Sequence, residues 1–176
     1  NSLTDFTTSK DALILDLRVY LTGGDTIIGY ASVGEDYLVI LLKRHIVIYN
    51  APENTVDWSL QQIIPTGAIS NYATAFYGKD LFIPGIEGIN TFTTLAQTEE
   101  ENSADITKLI APLYRSYLSS LTSSNWKYIY GGINRTLNHY YICFPLTAGH
   151  EIIVYSFDHR AIVGRFMGYS MYSFCE

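Results

Sequence analysis

Short apolar runs separated by turn-forming residues dominate the chain. The clearest is Tyr37-Leu-Val-Ile-Leu-Leu-Lys-Arg-His-Ile-Val-Ile-Tyr49. Its β-branched, leucine and aromatic residues suit a pleated, half-buried surface. Lys43-Arg44-His45 interrupts them with a polar turn, so the stretch reads as a strand, a tight turn and a returning strand. Asp80-Leu-Phe-Ile-Pro-Gly-Ile-Glu-Gly-Ile-Asn-Thr-Phe92 has the same shape. Leu38 maps on Leu81, Ile40 on Ile83, Ile46 on Ile89 and Tyr49 on Phe92, an offset of 43 residues. A period of roughly 40–50 residues is that of one four-stranded propeller blade.

Extended along the chain, this pattern predicts a mainly β fold: a β-propeller-like array of four-stranded antiparallel blades in one β-rich module over residues 1–176. The first blade (about 26–64) comprises Thr26–Val33, Tyr37–Leu42, His45–Asn50 and Trp58–Ile64. The second (about 67–96) comprises Ala68–Tyr77, Leu81–Pro84 and Gly88–Leu95, with no obvious fourth strand. The third (about 126–167) comprises Trp126–Tyr130, His139–Phe144, Glu151–Phe157 and Ala161–Met167, with turns at Gly131–Arg135 and Leu146–His150. Asp11–Leu21 fits a strand or a helical turn equally well, and Gly168–Glu176 looks like the first strand of a further unit. Three blades and a fraction do not close a ring of four to eight. Either the chain is part of a larger propeller, which its start at Asn1 rather than Met favours, or the sheets belong to another β architecture.

One segment breaks the β pattern. From Ser103 the apolar positions Ile106, Leu109, Ile110, Leu113, Tyr117 and Leu121 recur at spacings of three and four, which predicts a helical insertion over 103–122. Asn102 or Ser103 can cap its start, and Asp105 suits the positive end of the helix dipole. Pro112 falls inside the pattern; it is expected to end one short helix and open the next at a first-turn position. The apolar face formed by Ile106, Leu109, Ile110, Leu113 and Tyr117 is the candidate interface with a neighbouring subunit or a lumen. The competing reading is a helix that packs on the blades' outer edge.

Composition changes the picture in two ways. Charged residues are only 16% of the 176, against about 25% in an ordinary soluble domain. Much of the surface is therefore uncharged, as in an assembly subunit or in a surface rich in Ser, Thr, Asn and Tyr. The net charge is −6 with no Lys/Arg cluster, which argues against tight non-specific binding of nucleic acid, whose main term is phosphate neutralisation. An acidic wall can still line a passage for DNA, because repulsion prevents sticking. No apolar run approaches the roughly 18 residues of a membrane span.

The search for chemistry leads away from catalysis. Cys143 and Cys175 form no disulfide framework or zinc pattern. His139 and Cys143 share a strand face but stand about 13 Å apart at ~3.3 Å per residue, too far to hold one metal. His45, His150 and His159 belong to no metal motif, and no cofactor or metal is expected. Nucleophile-elbow, dinucleotide and Walker patterns are missing. Glu99-Glu100-Glu101 reads as a solvated run, and Asp16, Asp25, Asp57, Asp80 and Asp158 sit at turns or strand ends, where Asp bonds local backbone. Ser156-Phe157-Asp158 begins like the aspartate turn of sialidase propellers, but Arg160 stands where that turn wants glycine. Asn134-Arg135-Thr136 matches a glycosylation sequon, a pattern too short to carry weight. Trp58, Trp126 and Tyr128 are candidate stacking platforms for a sugar, or core and inter-blade packing residues.

The ordered series Asp25-Thr-Ile-Ile-Gly-Tyr30, Leu38-Val-Ile-Leu-Leu-Lys43 and Ile46-Val-Ile-Tyr49 resembles the tail nozzle or tail tubular B proteins of short-tailed bacteriophages. Thr66-Gly-Ala-Ile-Ser70, Asp80-Leu-Phe-Ile-Pro-Gly-Ile-Glu-Gly-Ile89, Ser103-Ala-Asp-Ile-Thr-Lys-Leu-Ile110, Tyr140-Tyr-Ile-Cys-Phe-Pro145 and Ile152-Ile-Val-Tyr-Ser-Phe157 continue the likeness over roughly residues 20–170. Members of that family are several times longer. The resemblance implies a non-enzymatic structural protein of the virion tail, one propeller part of a homo-oligomeric ring, commonly a hexamer. Its implied partners are the adaptor, the fibres and genomic DNA, which passes without specific binding. The alternative function is a carbohydrate- or receptor-binding propeller module.

Overall fold

The computed structural model describes residues 15–17, 25–53, 57–97 and 106–168. Most of Asp11–Leu21, the Glu99–Glu101 run, residues 103–105, Gly168–Glu176 beyond its first residue, and with it Cys175, lie outside the described residues. The protein is mainly β, with three antiparallel sheets formed in chain order.

Sheet 1 contains β1 (Ile27–Val33), β2 (Tyr37–Leu42), β3 (Ile46–Asn50) and β4 (Ser59–Ile64), each strand paired with the next. Sheet 2 contains β5 (Ala75–Tyr77), β6 (Asp80–Pro84) and β7 (Ile89–Thr91). Sheet 3 contains β8 (Tyr130–Asn134), β9 (His139–Leu146), β10 (Gly149–Ser156) and β11 (Ala161–Met167), again in sequential order. Helix α1 (Phe92–Gln97) follows β7, and α2 (Ala111–Ser119) lies between sheets 2 and 3 in the chain.

Alternation along each strand decides how the sheets stack, because successive side chains point to opposite faces. Val39, Leu41, Ile46 and Ile48 leave one face of sheet 1 and meet Leu81 and Ile83 of sheet 2, with Phe92 and Leu95 of α1. Ile40, Leu42, Val47 and Tyr49 are buried on the other face, with Leu15 and Leu17 packed against them. Phe82 and Ile89 leave the second face of sheet 2 and meet Tyr140, Ile142, Phe144, Ile153 and Tyr155 of sheet 3. Cys143, Ile152 and Val154 are buried on the far face of sheet 3. Sheets 1, 2 and 3 thus stack face to face in chain order, and each buried large side chain contributes about 1.5–3 kcal/mol.

The four paired positions of the repeat respect this stacking. Leu38 and Ile40 point away from sheet 2, as Leu81 and Ile83 point away from sheet 3. Ile46 points forward to sheet 2, and Ile89 forward to sheet 3. Tyr49 and Phe92 both face backward.

Three expected boundaries are corrected. Gly88–Leu95 is not one strand: pairing ends at Thr91 and α1 begins at Phe92. The Asp80 carboxylate accepts from the Leu81 amide at 2.9 Å and from the Thr93 amide at 2.9 Å, holding the first turn of α1 against β6. Within Ala68–Tyr77 only Ala75–Tyr77 is strand; Ser70 caps a 3-10 turn at Asn71–Ala73. Trp126–Tyr128 is a 3-10 turn rather than the start of a strand, and the strand instead covers Tyr130–Asn134. Gly131 does not turn the chain. A Cβ there would lie 2.6 Å from the Ala73 carbonyl oxygen, so glycine lets two backbones approach. The reversal falls at Arg135–Asn138, where Asn138 adopts φ 53°.

Candidate functional site

The first strands of the sheets gather on one side of the molecule. β5 runs beside β8, and the Asn71–Ala73 turn touches β1, β8 and the Trp126–Tyr128 turn. Ser70 makes this junction rigid. Its buried hydroxyl lies 2.8 Å from the Ile129 carbonyl and 3.3 Å from the Lys127 carbonyl, and it accepts from the Tyr72 amide at 3.2 Å. Exposed aromatic side chains gather around the Asn71–Ala73 and Trp126–Tyr128 turns: Tyr72, Phe76 and Tyr128, with Tyr130 half-buried beside them. The Tyr72 and Tyr130 rings are 5.7 Å apart. Two hollows open here. One of about 430 Å³ is lined by Ala75, Phe76, Ile133 and Arg135, and one of about 260 Å³ by Asn125, Tyr128, Tyr130 and Pro145.

The helical insertion turns most of its apolar face inward. A 3-10 turn at Lys108–Ile110 leads into α2, and Pro112 occupies the first turn of α2, where its missing N–H costs no intrahelical bond. Tyr117 is buried in the cluster between sheets 2 and 3, and Ile106, Ile110 and Leu113 pack against that cluster. Leu109 alone among the five candidate interface residues stands clear, 94% exposed. Tyr114 and Leu118 deepen the seal: the Tyr114 hydroxyl donates to the Gly85 carbonyl at 2.8 Å, and its ring meets Phe144 edge-on.

A charged cluster anchors the same helix to sheet 3. The Tyr117 hydroxyl donates to Glu151 at 3.1 Å, and Arg165 donates to both Glu151 oxygens at 2.9 and 3.2 Å. The Arg165 hydrogen bonds hold the Glu151 carboxyl below its ordinary value, outweighing partial desolvation. Burial, followed by the neighbouring carboxylate, pushes Tyr117 up to about 12. These shifts have a structural cause, the burial and hydrogen bonds that join the three groups.

The other polar groups behave similarly. The Asp25 carboxylate, its side chain only 3% exposed, accepts from the Thr26 and Arg44 amides and lies 2.9 Å from His45 Nδ1. Burial pushes its pKa up, but these hydrogen bonds together overcome that and leave it below the ordinary value. Asp158 accepts from the Asn138 side chain at 3.1 Å. One pairing escaped sequence reasoning: Cys143 Sγ lies 3.6 Å from His150 Nδ1. Cross-strand register explains it, because Cys143 faces Ile152 and Pro145 faces His150. A thiol beside an imidazole has nucleophile chemistry, but Cys143 is 1% exposed and no substrate reaches it as it stands. Among the described residues no group of three or more His, Cys, Asp and Glu could hold a metal ion, and no helix is long and apolar enough to cross a membrane.

Both tryptophans are half-buried and hydrogen-bonded to backbone, whereas Tyr128 is exposed; Trp126 also lines a hollow of about 250 Å³ with Leu118, Leu121 and Arg115. Trp58 donates to the Pro52 carbonyl at 2.8 Å and is half-buried. Trp126 donates to the Leu118 carbonyl at 3.2 Å and packs on the central cluster. Comparison with protein-family models and with curated proteins finds no match to this chain.

Proposed function

We propose that the chain is a structural, non-enzymatic wall element of a bacteriophage tail tube or nozzle, built from propeller blades. The observation that supports it most is the repeat. Residues 43 apart occupy corresponding faces of successive stacked sheets, while the first strands converge along one edge. Such an arrangement is compatible with blades set around an axis, and its ordered pieces are those that resemble the nozzle family. Blades joined through apolar faces make a stiff wall, and a net charge of −6 disfavours adhesion of passing DNA. On this reading the protein acts in the virion tail as a homo-oligomeric ring, hexameric by resemblance, between an adaptor and the fibres.

Light scattering and negative-stain imaging of the purified chain, with antibody labelling of phage particles, test the proposal. Ring-shaped oligomers and labelled tails support it. A protein that stays monomeric at every concentration and labels no particle overturns it. The reading as a carbohydrate-binding module is favoured by one specific feature, the tyrosine-lined cleft beside Pro145.

A further inference from the structure

We infer that the cleft formed by Tyr128, Tyr130, Asn125 and Pro145, with Tyr72 on its rim, is a binding site for a pyranose unit of an oligosaccharide. The hollow measures about 260 Å³ and is lined by two tyrosines, a proline and an asparagine. A pyranose presents flat C–H faces edged by hydroxyl groups. A tyrosine presents the complement, an apolar ring whose π face is electron-rich and whose tip is a donor and acceptor. Asn125 adds a carboxamide able to donate and accept at the edge of the sugar.

Three further observations separate this cluster from ordinary surface tyrosines. The rings are exposed although large, Tyr72 at 64% and Tyr128 at 47%. Among the described residues no group bonds the Tyr72, Tyr128 or Tyr130 hydroxyls, which leaves them for a ligand. The platform is also preformed. Ser70 ties the turn carrying Tyr72 to the turn carrying Tyr128, and the Tyr72 and Tyr130 rings brace each other at 5.7 Å. Rigid aromatic anchors lose little conformational entropy on binding, which favours recognition of a weakly interacting ligand such as a sugar.

Lys127 refines the ligand class. Its Nζ sits 5.0 Å from the centre of the Tyr128 ring. A positive charge this close to the aromatic platform favours an acidic sugar, such as a uronate, over a neutral one. Single-stranded nucleic acid also stacks on aromatic residues, but it needs a cationic groove to track its backbone, and this chain carries a net charge of −6.

The test is a two-dimensional NMR titration of the isotope-labelled chain with neutral gluco-oligosaccharides, oligogalacturonates and an oligothymidylate. The expected result is saturable shifts at Asn125, Tyr128 and Tyr130, with dissociation constants in about the millimolar range or tighter. Y128A and Y72A should weaken binding at least about tenfold. K127M should remove the preference for the acidic ligand while keeping the neutral one. The Tyr72 and Tyr128 rings are exposed enough that both variants should keep the parent's melting temperature. Binding of oligothymidylate alone, shifts confined to other surfaces, or affinities unchanged in Y128A and Y72A would each overturn the assignment, as would no saturation by any saccharide.

Discussion

The hydroxyl of Tyr117, on the inward face of α2, donates to the carboxylate of Glu151 on β10 across 3.1 Å. Glu151 is held from the other side by Arg165, whose guanidinium also lies 5.5 Å from the Tyr117 ring. The helix that interrupts the β pattern is thereby fastened to the third sheet by an aromatic ring in the core and a charge-assisted bond at its margin. Y117F keeps the ring and removes the bond. Because water and Arg165 still solvate Glu151, the loss should be modest, about 1 kcal/mol in urea denaturation at pH 7. Y117A, which also opens a cavity against Phe144, should cost about 3–5 kcal/mol.

Alkaline pH probes the same contact. Tyr117 is raised from 10.0 to about 12, so between those values the folded chain keeps a proton that the unfolded chain releases. Its contribution is fully present below pH 10 and is lost as pH rises through about 12. Burial raises Tyr140 and Tyr155 as well, and both add to the same fall. The melting temperature should therefore drop steeply above pH 10 in the parent and less steeply in Y117F. An identical slope in the two would show that Tyr117 does not titrate late.

The acid limb should report on Asp25. Its folded pKa lies below the ordinary 3.8, so its stabilising effect is present above that value and disappears as pH falls through the folded value. D25N retains an acceptor for the Thr26 and Arg44 amides but loses the charge facing His45. The variant should be less stable than the parent at pH 6, and the gap should close toward pH 3, as followed by circular dichroism. A gap that widens on acidification would contradict the direction of the shift.

The β pattern was legible wherever strand pairing is local. The hairpin Tyr37–Tyr49 and the last three strand runs of the third sheet follow from alternation and turn residues alone, and mapping Ile46 on Ile89 located corresponding faces of two sheets. Failures occurred where a distant group sets the backbone. Asp80, from the neighbouring strand, takes the Thr93 amide and starts a helix in a segment of strand-like composition. Trp126 is drawn to the Leu118 carbonyl, and Gly131 is small because the Ala73 backbone crosses it. The candidate interface was read from spacing, which marks a buried face without saying what buries it; Tyr117 is buried by the chain's own sheets and Leu109 by none of the described residues. The Tyr72–Tyr130 contact joins residues 58 apart through a turn with no periodic signal.

Arg160 occupies the left-handed region at φ 49°, in the turn between β10 and β11. The sequence motif that it interrupts wants glycine at this position, and the backbone has the corresponding conformation. A side chain there costs about 1–2 kcal/mol, while glycine loses about 0.4–1 kcal/mol through the greater freedom of the unfolded chain. R160G should therefore leave stability unchanged or raise it by up to about 1 kcal/mol, measured by urea denaturation. Loss of more than that would mean that the Arg160 side chain holds the turn through its charge.

The junction of sheets 2 and 3 concentrates on one carbonyl. The buried Tyr140 hydroxyl donates to the Ala73 oxygen at 2.6 Å, and Gly131 packs against the same oxygen and the Tyr140 ring. Y140F removes the donor from a buried acceptor and should cost about 1–3 kcal/mol. G131A forces a methyl group into the space between that carbonyl and the ring and should cost about 1–3 kcal/mol through displaced backbone. Both changes act on the position of Ala73, so their effects should not add. Once the methyl has pushed Ala73 away, little of the hydrogen bond remains for Y140F to remove, and the double variant should fall short of the sum by about 0.5–1 kcal/mol or more. Strict additivity in a double-mutant cycle would mean that the turn and β8 are held together elsewhere, and that the close approach at Gly131 is incidental to how the first strands meet.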